Sequence, residues 1–153
     1  MRVLAALALS LTLLAACDSG PDDASGVGDL VLALDVLTDR PPGGVVPVLA
    51  LQTVEEYGCA NSPLVVVSDV RADRLTVSVK GVSTSTECFP ALTPASTSVR
   101  LPYEYDAPGY EGYRIEIEKD GDWDTYVMER SGTQLLVTEV EASFSSFLTA
   151  VRH

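Results

Sequence analysis

The sequence predicts an all-β fold, an antiparallel β-sandwich of about seven to eight strands with a short C-terminal helix, within residues 30–153. Three observations carry this. Short runs rich in Val, Leu, Ile and Tyr recur about every ten residues, separated by Gly, Pro, Asn and Asp, the spacing of sandwich strands and their turns. Several runs alternate apolar and polar residues, the period of a half-buried strand. Setting aside the first 29 of the 153 residues leaves 124 with no repeat of 20 to 50 residues, enough for one core and hardly two.

The strands are expected in this order. Leu30 to Leu37 and Val45 to Val54 flank Asp39-Arg40-Pro41-Pro42-Gly43-Gly44, which stops any regular element. Pro47 predicts an edge position for the second of them, since proline donates nothing to a ladder. Leu64 to Val70 and Leu75 to Val82 flank Arg71-Ala72-Asp73-Arg74 and read as a hairpin, with Leu75, Val77 and Val79 facing inward. Ser96 to Pro102 is a weaker run. Tyr113 to Glu118 puts Tyr113, Ile115 and Ile117 inward, and Asp120-Gly121 then turns the chain, because a type I′ turn needs positive φ at both central residues. Trp123 to Glu129 pairs back, and Ser131-Gly132 turns again into Gln134 to Val137. Val140, Phe144, Phe147, Leu148 and Val151 fall at helical spacing behind Thr138 and Glu141 in capping-box register, which predicts the terminal helix.

Residues 1–16 have a different character. Arg2 is followed by an apolar or small run from Val3 to Leu14, interrupted only by Ser10 and Thr12, the anatomy of a cleaved export signal. The run is shorter than the roughly 20 residues a membrane-spanning helix needs. It ends in Leu14-Ala15-Ala16-Cys17, and here the sequence resembles bacterial lipoprotein precursors, whose lipobox places two small residues before an obligatory cysteine. The resemblance implies that the Cys17 thiol receives a diacylglycerol and that a signal peptidase cuts before it. Each buried methylene of such acyl chains contributes roughly 0.8 kcal/mol of anchoring. The protein would then sit in the bacterial cell envelope, lipid-anchored and extracytoplasmic. Asp18 after the lipidated cysteine implies inner-membrane retention in enteric bacteria and surface export in other phyla.

Residues 18–29, DSGPDDASGVGD, hold Val27 as their only large apolar residue, so residues 17–29 read as lipidated cysteine plus flexible tether, with no core face. A coil of twelve residues spans roughly 20 Å. With Cys17 acylated, Cys59 and Cys88 remain in a disulfide-permitting compartment. The hairpin turning near Ala72 brings them to one end, and closing a loop of about 30 residues contributes roughly 3.6 kcal/mol in the chain-entropy model. Two unpaired structural thiols are the other reading. An exported sandwich with a disulfide loosely resembles immunoglobulin-like domains. The single Trp123 follows both cysteines rather than lying between them, however, and the cysteine spacing is too short for that family's inter-sheet bridge.

Composition excludes several functions. A net charge of -12 and the lack of any basic stretch exclude a nucleic-acid protein, which needs clustered Lys and Arg. The only histidine is His153, so neither a histidine-based nucleophile system nor a multi-histidine metal site is expected. Asp120, Asp122 and Asp124 alternate like the start of a calcium loop, but Thr125 and Ser131 stand where such a loop needs Gly and Glu. The string reads as a turn with solvated carboxylates. No metal, cofactor or enzymatic activity is therefore expected, and the chain reads as a monomer.

YEYDAPGYEGY, residues 103–113, contains four of the six tyrosines. Tyr103, Tyr105, Tyr110 and Tyr113 are candidates for a binding loop, because tyrosine offers contact area and a hydrogen-bonding tip at low entropy cost. Tyr105 and Tyr110 lie between strands and are expected to be exposed, while Tyr103 and Tyr113 also fit strand ends covering a sandwich edge. The expected role is non-enzymatic: binding of an envelope protein or carbohydrate, or envelope structure. The alternative is an inhibitor or accessory subunit of an envelope protease or hydrolase.

Overall fold

The computed structural model describes residues 26–38, 45–60, 62–83, 89–104 and 106–148. Nine strands follow one another: β1 (Leu30–Thr38), β2 (Val45–Cys59), β3 (Leu64–Val70), β4 (Arg74–Val82), β5 (Pro90–Arg100), β6 (Tyr113–Lys119), β7 (Asp122–Ser131), β8 (Gln134–Glu141) and β9 (Ser145–Phe147). They form a four-stranded sheet, β5-β2-β1-β9, packed on a five-stranded sheet, β3-β4-β6-β7-β8. The architecture is an all-β sandwich.

The alternation in the sequence becomes alternation of burial. Leu75, Val77 and Val79 of β4 and Tyr113, Ile115 and Ile117 of β6 are almost fully buried, and they meet Leu32, Leu49 and Leu51 of the opposing sheet in one core. Each such aliphatic side chain contributes about 1.5 to 3 kcal/mol on full burial. Asp120 and Gly121 have φ of 56° and 92°, with Lys119 opposite Asp122, so the two-residue turn forms where expected. The next turn is displaced by one residue: Ser131 pairs with Gln134, leaving Gly132 and Thr133 as the loop with Gly132 at φ 63°. Glycine is required at the first loop position, and only one of the two frames puts it there.

Five expectations are corrected. The sandwich is mixed rather than antiparallel, since β9 runs parallel to β1 and β6 parallel to β4. Between β4 and β6 the chain crosses to the other sheet as β5, and such a crossover returns the next strand in the same direction. Pro47 lies in an interior strand. Its carbonyl accepts from Leu101 N just beyond the end of β5, so the side lacking an N–H faces a strand end rather than the β1 ladder. The segment 140–148 forms no helix; it ends β8, turns, and adds β9 to the edge of β1. Val27 is 5% exposed and belongs to the core, so the tether ends before it. Finally, β5 starts at Pro90, well before the expected Ser96, and β2 runs on to Cys59. The two extensions pair as a ribbon interrupted by bulges, one of them stabilised by the buried Thr53 hydroxyl, which accepts from Ala95 N at 2.9 Å and donates to Glu55 O at 2.8 Å.

Candidate functional site

Strand directions divide the loops between two ends. The near end, where the chain enters at Gly26, holds the ribbon of β2 and β5, the 120–121 turn and residues 142–144; the far end holds the turns at 71–74 and 132–133 and the segment 101–112.

The candidate binding loop lies at the far end, and its tyrosines pack into the fold. Tyr103, Tyr110 and Tyr113 meet edge to face, with ring centroids 5.2 to 6.4 Å apart and planes near perpendicular. Each hydroxyl donates to a main-chain carbonyl: Tyr103 to Ala72 at 2.7 Å, Tyr110 to Tyr103 at 2.8 Å, and Tyr113 to Arg71 at 3.3 Å. Tyr110 is 0% exposed, so its expected exposure is overturned. A Cβ on Gly109 would stand 2.8 Å from the Tyr103 ring, which explains a glycine there. Burial pushes the Tyr110 hydroxyl up to about 12, and burial beside two other tyrosines raises Tyr113 as well. Tyr105 lies outside the described residues, as do Cys17 and Cys88; Cys59 ends β2.

At the near end the expected solvated carboxylates divide. Asp120 and Asp122 are exposed, but Asp124 is fully buried. It accepts from Ser143 N (2.7 Å), Phe144 N (3.2 Å), Ser145 N (2.7 Å) and the Ser143 hydroxyl (3.1 Å). Burial pushes this carboxyl up, but the bonds from Ser145, Ser143 and Phe144 outweigh it and hold it below the usual aspartate range. Tyr126 donates to Ser145 O at 2.9 Å, and Lys119 Nζ caps the carbonyls of Val27 (3.1 Å) and Gly28 (2.9 Å) while lying 4.8 Å from the Phe144 ring centre. This arrangement positions the backbone of residues 143–145 and 27–28. Among the described residues no three His, Cys, Asp or Glu side chains group as metal ligands.

The chain matches no family model, no curated protein and no solved structure.

Concave features among the described residues include two of similar size. A cleft of about 260 Å³ opens between β8 and β9, lined by Leu34, Tyr126, Leu136, Val137 and Phe147 among others. The second, about 280 Å³, lies at the far end between Asp73, Arg74, Gly112 and Arg114. Sequence reasoning missed this arginine pair. Arg74 and Arg114 each precede an inward-facing residue, which puts both side chains on the outer face, but only the parallel pairing of β4 with β6 sets them side by side.

Proposed function

We propose that the protein is a lipoprotein of the bacterial cell envelope, anchored extracytoplasmically through acylated Cys17, with a non-enzymatic binding or envelope-structural role. The observation that carries this is Leu14-Ala15-Ala16-Cys17 standing directly after the apolar run Val3 to Leu14. The fold supports it with a direction. Asp29 O accepts from Val54 N and Gly26 O from the Tyr57 hydroxyl, so the described chain begins at the near end, beside β2. An anchor at Cys17 would therefore hold the near end toward the lipid and present the far end outward. Labelled palmitate tests the anchor: the wild type should incorporate it and Cys17→Ala should not, remaining uncut or wrongly processed. Label in the mutant, or none in the wild type, ends this reading.

The proposal includes a Cys59–Cys88 disulfide at the tip of the ribbon. Cys59 ends β2 at the tip of the bulged, exposed ribbon, where a covalent tie to Cys88 would add to the backbone pairing of the two strands. Two reactive thiols in the unfolded, unreduced mature chain would rule the pair out. The second reading, an inhibitor or accessory subunit of an envelope protease or hydrolase acting through residues 103–113, would have to use groups of that loop other than the buried Tyr110 and Tyr113.

A further inference from the structure

All five described arginines, Arg71, Arg74, Arg100, Arg114 and Arg130, stand at the far end, on strand ends or turns. Three have work already. Arg71 is bound to the Asp69 carboxylate at 2.7 Å, Arg130 donates to the carbonyls of Gly132 and Asp106, and Arg100 has partners of its own. Arg74 and Arg114 differ. They stand opposite each other on parallel strands, where like charges repel. Arg74 has no ion pair among the described residues, and Arg114 has only a loose one, 3.7 Å from a Glu116 carboxylate whose other oxygen accepts from Thr76. Between them lies the 280 Å³ pocket. Its floor is rigid, because Arg114 N donates to Asp73 O, Arg71 N to Arg74 O, and the buried Tyr113 to Arg71 O. Gly112 keeps the rim open: its φ is +72° and no atom lies within 4 Å of where a Cβ would be.

We propose that Arg74 and Arg114 form a binding site for the oxyanion of a sugar acid or sugar phosphate. Two guanidinium forks suit a carboxylate or phosphate, each offering paired N–H donors in one plane. Asp73, the one carboxylate in the lining, opposes an anion but accepts from a hydroxyl beside it, which selects a hydroxylated ligand over a bare ion. The volume falls below the roughly 300 to 1,000 Å³ of drug-sized sites, which limits the bound group to about one monosaccharide. Exposed acids in the far-end segment 101–112, among them Glu104, Asp106 and Glu111, offset the other arginines of that end, so the ligand is a single charged unit rather than a long polyanion. The site itself does not depend on the lipid anchor; only the source of its ligand, outside the cytoplasm, rests on the envelope reading.

The test is an NMR titration of arginine Nε–H signals in the mature chain, with glucuronate and glucose 6-phosphate as probes and glucose and inorganic phosphate as controls. Arg74 and Arg114 signals should move and saturate at millimolar concentration with both probes and not with glucose. The ratio of the two affinities shows which oxyanion the site favours. R74Q and R114Q should each weaken binding about tenfold or more, whereas D73N should tighten inorganic phosphate and erase the advantage of glucose 6-phosphate over it. Parallel, unsaturated drift of all five arginines, or unchanged binding in R74Q, would overturn the site. Binding should persist in Cys17→Ala, so failure of the anchor and failure of the site are read separately.

Discussion

The far end of the sandwich is closed by three tyrosines and the near end by one aspartate, and the two solutions are opposite in chemistry. At strand ends the backbone leaves groups without ladder partners, and buried ones must be satisfied. At the far end those groups are carbonyls, of Arg71, Ala72 and Tyr103, and hydroxyl donors meet them. At the near end they are the amides of Ser143, Phe144 and Ser145, and a carboxylate accepts from all three. The tyrosines add buried apolar area to their hydrogen bonds. Asp124 adds none, so the near end depends on keeping a charge in place.

Removing each plug separates the two contributions. Tyr110→Ser should give the largest loss, about 4 kcal/mol, as aromatic truncation in a core does, read as a lower urea midpoint with unchanged slope. A loss under about 1 kcal/mol would mean that the far end does not rely on its rings. Asp124→Ala should cost about 3 kcal/mol by stranding three buried or half-buried amides, and Asn at this position should recover only part of that, since its amide hydrogens face donors. If Ala and Asn prove equivalent, the 143–145 turn is held by packing of Phe144 rather than by the carboxylate.

Opposite chemistry also predicts opposite pH limits. The Asp124 carboxyl is lowered in the folded state, so its contribution is present above the ordinary aspartate pKa of about 4 and is lost as pH falls through the folded value. Tyr110 is raised to about 12, so its contribution is intact below the ordinary value near 10 and is lost as pH rises toward 12. Over that window the chain should lose about 1.4 kcal/mol per pH unit from this residue. Tyr110→Phe should make the alkaline limb shallower, leaving the part that belongs to Tyr113, and Asp124→Asn should make the acid limb shallower. A shared response of both limbs to either variant would break the division into two independent ends.

The smallest effect expected is at Trp123, which is 49% exposed beside the near-end turn. Trp123→Ser should change stability by under about 0.5 kcal/mol. A larger loss would mean that the near end has an aromatic contribution too, and the contrast with the far end would weaken.

The sequence by itself determined the strands whose signals are local. β3, β4, β6 and the Asp120-Gly121 turn follow from period and turn chemistry, and both act within a few residues: a pleat sends alternate side chains to one face, and a tight turn demands particular φ values. The expected Ser96 start of β5 failed because Pro90 and Pro94 mask a strand that lies at a sheet edge, where proline is tolerated. Tertiary structure alone decided the rest. Val140, Phe144, Phe147 and Leu148 satisfy helical spacing, yet the segment is extended, because Asp124, about twenty residues upstream, takes the amides of residues 143–145, and β1 offers an open edge to Ser145–Phe147. Asp124 looked like one of three solvated acids, and Tyr110 like an exposed loop residue. Their burial depends on groups brought to them by chain crossings, the 143–145 turn in one case and Tyr103 and Tyr113 in the other. The same holds for Arg74 and Arg114, forty residues apart and neighbours only because β6 returns parallel to β4. Local pattern reports which face a residue occupies; what waits on that face is set by topology, through contacts whose sequence separation no short-range period encodes.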